Sequence, residues 1–187
     1  MVAYVIVPGI GGSDERHWQS RWEAGWGASA TRIAPGSWTE PDLEDWVAAV
    51  RTAYERAARQ ADGDGVALVA HSLGCWAAAR WLEEARPGGV VAFLAAPPDP
   101  LGPAFPHEAA STFLGVTARP LPCPGLVVSS DDDPYCGAAA AAGLATGWES
   151  PRTSVGKQGH INSDSGHGDW ERGRELLRVL LARTPAV

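Results

Sequence analysis

With 187 residues, 45% of them apolar and 20% charged, the chain is sized for one folded domain, 1–187, with a core of its own. A net charge of −7 with Lys157 as the only lysine argues against nucleic-acid binding through phosphates, and no apolar run approaches the about 20 residues of a membrane span. Cys75, Cys123 and Cys136 form no CxxC pair, so no disulfide framework, metal site or cofactor is expected, and a reducing cytoplasm fits them.

The apolar start Met1–Ile10 lacks a basic flank and breaks at Pro8-Gly9, so Ala3–Val7 reads as a first strand and not as a signal peptide. Trp18, Trp22 and Trp26 then recur at i, i+4 and i+8, one face of a helix. Thr31–Ala34 is a weak strand. Thr39 is placed as a helix cap with Pro41 in the first turn, followed by Leu43, Trp46, Val47, Val50 and Tyr54 at helical spacing. Asp62–Gly65 is a turn, Val66–Ala70 a buried strand and Leu73–Ala85 a helix. Pro87-Gly88-Gly89 turns into the strand Val90–Ala95, and Pro97–Pro106 is a proline-rich loop. Leu126–Ser129 is a strand, Tyr135–Ala145 a helix and Arg152–Val155 a short last strand; Trp170, Leu176, Leu177, Leu180 and Leu181 mark a closing helix. This alternation predicts an α/β fold: a mostly parallel, twisted sheet of about six strands with helices on both faces.

The strongest local signal is Ala70-His71-Ser72-Leu73-Gly74, set between a buried strand and an Ala-rich helix. A serine in a small-x-Ser-x-Gly turn between strand and helix is held out at the sheet edge. An isolated motif of this kind can simply cap a helix; its setting favours a nucleophile. The Leu73 amide opens the next helix and can donate to a developing oxyanion. Cys75, three residues on, reads as a small core residue.

A serine nucleophile needs a base, and the base an orienting acid, in the chain order Ser, acid, His on loops that follow later strands. Asp131-Asp132-Asp133 follows the strand Leu126–Ser129, and chain logic does not separate the three; Asp99 is in reserve. His160 follows the last strand, with His167 in the same loop as its rival. His71 is expected to point away from the site because the turn is sharp, whereas His17 and His107 come from loops that could reach the pocket.

These pieces resemble the small serine hydrolase family that includes retinoblastoma-binding protein nine and many bacterial relatives. The likeness runs nearly end to end: Val5-Ile6-Val7-Pro8-Gly9-Ile10-Gly11-Gly12-Ser13, His17-Trp18, the Ser72 turn, Ser130 through Tyr135, and Gly159 through Gly166. It implies a minimal, lidless α/β-hydrolase in which Ser72 is the nucleophile, His160 the base and Asp133, directly before Pro134, the acid. The loop after the first strand then corresponds to the oxyanion loop, with the Ile10 amide as second donor and Gly11 as the next candidate. One feature of the human member does not carry over: its retinoblastoma-binding Leu-x-Cys-x-Glu motif has Gly125 in place of glutamate in Leu121-Pro122-Cys123-Pro124-Gly125.

The expected activity is acyl-enzyme hydrolysis of a small ester or amide, without cofactor, metal, nucleic acid or membrane. The site is expected to be open and bordered by His17, Trp18, Trp38, Phe105 and Tyr135, with Trp22, Trp76 and Trp81 in the core. The rival reading is an idle hydrolase fold serving as a protein-interaction module.

Overall fold

The computed structural model describes residues 1–61 and 63–182. Six strands run in one parallel sheet: β1 (Ala3–Val7), β2 (Ala30–Arg32), β3 (Val66–His71), β4 (Val90–Ala95), β5 (Gly125–Ser129) and β6 (Arg152–Ser154). Their order across the sheet is β2-β1-β3-β4-β5-β6. The helices are α1 (Trp18–Trp26), α2 (Leu43–Ala61), α3 (Gly74–Ala85), α4 (Ala138–Gly147) and α5 (Glu171–Ala182). β1, β3, β4 and β5 read as continuous apolar runs because helices cover both faces of the sheet. On one face α2, α3 and the end of α4 pack Trp46, Trp76, Trp81 and Trp148; on the other α1 and α5 pack Trp18, Trp22 and Trp170 against Phe93.

The chain leaves β1 towards the β2 edge and returns on the other side as β3. The carboxyl ends of β1 and β3 therefore flank the point where the winding reverses, the place where ligand sites of such sheets form. The connection from β4 to β5 carries only the short 3₁₀ turn Ser111–Phe113, so no cap covers that end. Among the described residues no helix is long and apolar enough to cross a membrane.

Several element ends differ from the sequence expectation, each for a local reason. The expected cap of α2 moves from Thr39: the helix begins at Leu43, and its cap is Asp42, whose carboxylate accepts from the Asp45 amide at 2.9 Å, while the Thr39 amide donates to the Ser37 hydroxyl. α4 starts at Ala138 and not at Tyr135, because the Tyr135 amide is held by the Asp133 carboxylate and Gly137 is extended. β2 pairs over residues 30–32 instead of 31–34, β3 runs one residue further to His71, and β6 ends at Ser154. Of the expected turn Asp62–Gly65, Asp62 lies outside the described residues.

Candidate active site

Residues His71 to Gly74 leave β3 and enter α3 with almost no connecting chain. Ser72 sits at φ 54°, in the left-handed region that side chains rarely adopt, and its amide donates to the Ala95 carbonyl at 2.9 Å. Such a backbone outlier fits a sharp strand-to-helix turn that holds a serine out at the sheet edge. Two glycines let it close. A Cβ on Gly74 would collide with the carbonyl oxygens of Val7 and Pro8, and one on Gly9 would lie 2.7 Å from the Ser72 Cβ. Ala70, the departure from glycine in the motif, is fully buried in the core with its methyl accommodated.

The Ser72 hydroxyl lies 2.8 Å from Nε2 of His160, and Nδ1 of the same ring lies 3.0 Å from both carboxylate oxygens of Asp133. The Asp133 carboxylate is 2% exposed, so its pairing with the ring is shielded from solvent. Each of the three aspartates has its own partner. Asp131 accepts from the Ser154 hydroxyl at the end of β6, Asp132 accepts from the Gly159 amide at 2.8 Å, and only Asp133 faces the imidazole. The Gly159 amide and the Ser130 hydroxyl together hold the Asp132 carboxyl below its usual range. Asp99 instead closes a turn by accepting from the Leu101 amide, and His167 lies against Trp170 and is not among the residues that line the cleft around Ser72.

Serine, imidazole and carboxylate in this order can move a proton off the hydroxyl while a carbonyl is attacked. Beside them the amides of Leu73 and Ile10 border the cleft and donate to no protein group among the described residues. The Gly11 amide, the alternative donor, is committed to the Trp38 carbonyl at 3.0 Å. Burial pushes the Cys75 thiol well above its ordinary pKa, and its sulfur donates to the Ala95 carbonyl, so it offers no competing thiolate.

The cleft encloses about 520 Å³. Its lining is mixed: Ile10, Leu73, Pro98, Pro106, Ala109 and Tyr135 offer apolar surface, and Asp14, His17, Asn162, Ser163 and Asp164 offer polar groups. Of the expected border, His17 and Tyr135 line this cleft, and Tyr135 covers the His160 ring at 4.5 Å. Trp18, Trp38 and Phe105 do not, which corrects the aromatic rim. Trp18 is 1% exposed because its indole N–H finds the Ile161 carbonyl at 2.8 Å and its rings fill the α1–α5 layer. Trp38 packs over Gly12 and against Trp46, and Phe105 is buried on the α2–α3 side with His107 beside it.

A second correction concerns His71. It does not turn away: its ring lines the cleft, 5.0 Å from the His160 ring, and its Nε2 lies 2.9 Å from the His160 carbonyl. The signal in the sequence was its place next to Ser72, which the sharpness of the turn obscured. Asn162 and Ser163 were also missed as cleft residues. Ser163 donates to Asp14 at 2.7 Å and so joins the first loop to the loop of His160.

Burial pushes His17 down to about 4 and His71 well below the usual histidine value, so both are neutral at neutral pH. An unfolded imidazole takes up its proton near pH 6.5, so below that pH the unfolded chain binds more protons than the folded one. Stability contributed by these two side chains is complete above about pH 6.5 and is lost as the pH falls towards 4. Urea midpoints measured between pH 7.5 and 4.5 should therefore decline, and His17→Asn, which keeps a capping acceptor for the Gln19 amide, should flatten the decline. An equal slope in both proteins would refute this assignment.

The parallel sheet, its winding reversal and the strained serine turn define the chain as an α/β-hydrolase. The chain belongs to the serine hydrolase family, whose sequence pattern matches residues 4–179. Among solved structures it resembles a protein of Pectobacterium atrosepticum described as a YdeN-like hydrolase, with 31% identity, 97% of this chain and 91% of that chain covered, and a TM-score of 0.81. The ydeN gene product of B. subtilis is 23% identical over 97% of this chain and 99% of that one, with a TM-score of 0.66. Est1E of Butyrivibrio proteoclasticus, in a structure with bound ferulic acid, shares the fold at 12% identity, 98% and 90% coverage and a TM-score of 0.74. No curated protein sequence matches significantly.

Proposed function

We infer that this hydrolase cleaves a small ester or amide through an acyl-enzyme on Ser72. The observation that carries the reading is the unbroken series from the Ser72 hydroxyl through His160 to the buried Asp133 carboxylate, with contacts of 2.8 and 3.0 Å. In the proposed reaction Oγ of Ser72 attacks the carbonyl carbon as Nε2 of His160 takes its proton. Asp133 holds the ring with Nδ1–H towards it and stabilises the imidazolium. The Leu73 and Ile10 amides receive the oxyanion. Collapse of the tetrahedral adduct expels the alcohol or amine, which leaves with the proton held on His160. Water then attacks the acyl-enzyme, gives a proton to His160, and the acid departs as Ser72 recovers its hydrogen.

The mixed lining supports a small substrate with an apolar acyl group and a polar leaving group, the first meeting residues such as Ile10 and Pro98 and the second Asn162 and Ser163. Nδ1 of His17 accepts from the Gln19 amide, so its Nε2 carries the hydrogen; that atom is buried and has no protein partner among the described residues. The free cysteines support a reducing, cytoplasmic setting.

A panel of p-nitrophenyl esters of increasing acyl length, together with aminoacyl amides, tests the reading. Short acyl groups should turn over faster than palmitoyl esters, most of whose chain would extend out of the open cleft into solvent. A folded protein that hydrolyses no member of the panel, or prefers the palmitoyl ester, would contradict it.

A further inference from the structure

The loop that carries His160 belongs to no helix or strand, and the residues on either side of the histidine lie in the left-handed region, Gly159 at φ 56° and Ile161 at φ 50°. Its backbone is held from two sides. On the acid side, the Gln158 amide donates to the Ser130 hydroxyl at 2.9 Å and the Gly159 amide to Asp132. On the other side, two consecutive carbonyls accept from two buried rings: His160 from His71 at 2.9 Å and Ile161 from the Trp18 indole at 2.8 Å.

The His71 bond has a geometry the Trp18 bond lacks. His71 and Ser72 are neighbours in the chain, and both contact the same residue: Ser72 meets the His160 side chain, His71 its main chain. These contacts close a small ring around the nucleophile and the base. A carbonyl oxygen only accepts, so Nε2 of His71 must carry the hydrogen. His71 is 4% exposed, and its ring lies edge-on to His17 at 4.7 Å.

We propose that His71 is a positioning residue: its Nε2–H fixes the His160 backbone, and with it the separation of base and nucleophile, from the residue next to Ser72. This rests on the assignment of Ser72 and His160 under the proposed function. His71 touches neither the hydroxyl nor the imidazole nitrogens, and no proton of the reaction passes through it. Its effect is preorganisation of the reacting pair, where a misplacement of about 1 Å can cost on the order of 10²-fold in rate.

The test compares His71→Leu, which removes the donor, with His71→Gln, whose Nε2 lies the same number of bonds from the backbone. Both are measured per active site, titrated with a fluorophosphonate, on p-nitrophenyl acetate. His71→Leu should lose about 10- to 100-fold in kcat with KM nearly unchanged, and His71→Gln should recover most of that loss. Equal activity of all three proteins, or an equal loss in both variants, would overturn the proposal. Should His71→Leu fail to fold, the wild-type protein still decides: long-range ¹⁵N–¹H correlation spectra at neutral pH should show His71 as the Nε2–H tautomer, and an Nδ1–H tautomer would overturn it. Wild-type protein that takes up no fluorophosphonate would instead bring down the assignment of Ser72, a distinct outcome.

Discussion

Ser72→Ala should retain the fold and lose esterase activity by about 10⁴- to 10⁶-fold in kcat, the range seen when a triad nucleophile is removed. The fold should survive because the side chain contributes no core packing. Alanine suffers the same left-handed backbone that serine already tolerates at φ 54°, and the closures at Gly9 and Gly74 are untouched. Activity should collapse because, among the described residues, the Ser72 hydroxyl is the group that meets Nε2 of His160. Cys75 is fully buried with its thiol directed to the Ala95 carbonyl. Steady-state kinetics beside a thermal melt check both halves. An active Ser72→Ala protein would remove the hydroxyl from the chemistry.

Asp133→Asn should cost about 10⁴-fold in kcat/KM, because an amide can hold the imidazole in the wrong tautomer and does not stabilise its cation. The neighbouring aspartates separate in an order set by their partners. Asp131→Asn, at an exposed carboxylate that meets Ser154, should be near wild type. Asp132→Asn should fall between the two, since its carboxylate anchors the amide of Gly159, the residue before His160. Asp99→Asn should leave activity intact, because Asp99 closes its own turn. The measurement is kcat/KM for the four single variants. A collapse at Asp99 with Asp133→Asn near wild type would move the acid to the loop after β4.

The parts of this site that are legible in the sequence are those set by short-range geometry. The Ser72 turn is written in five residues, because a strand-to-helix corner this tight admits only small neighbours at Ala70 and Gly74. His160 is legible from its place after the last strand. Asp133 is not separable from Asp131 and Asp132 by pattern, since their roles depend on the directions three successive side chains take in one turn; the family resemblance made that choice. The border was misjudged because a tryptophan reads as equally suited to rim or core. What decides is whether its N–H finds a buried acceptor, and for Trp18 that acceptor is residue 161, far away in the chain. His71 was misjudged for the same reason: its partner is the carbonyl of residue 160. The smaller shifts, such as Asp42 displacing Thr39 as the α2 cap, reflect a competition between two capping residues three positions apart.

The central claim, that Ser72 is the residue acylated in turnover, is tested most directly by treating the protein with a fluorophosphonate and mapping the adduct by peptide mass spectrometry. The expected result is one adduct per chain on the peptide containing Ser72, with none on Ser72→Ala and a much slower reaction in His160→Ala. An adduct on any other serine, or labelling of Ser72→Ala at the wild-type rate, would contradict it.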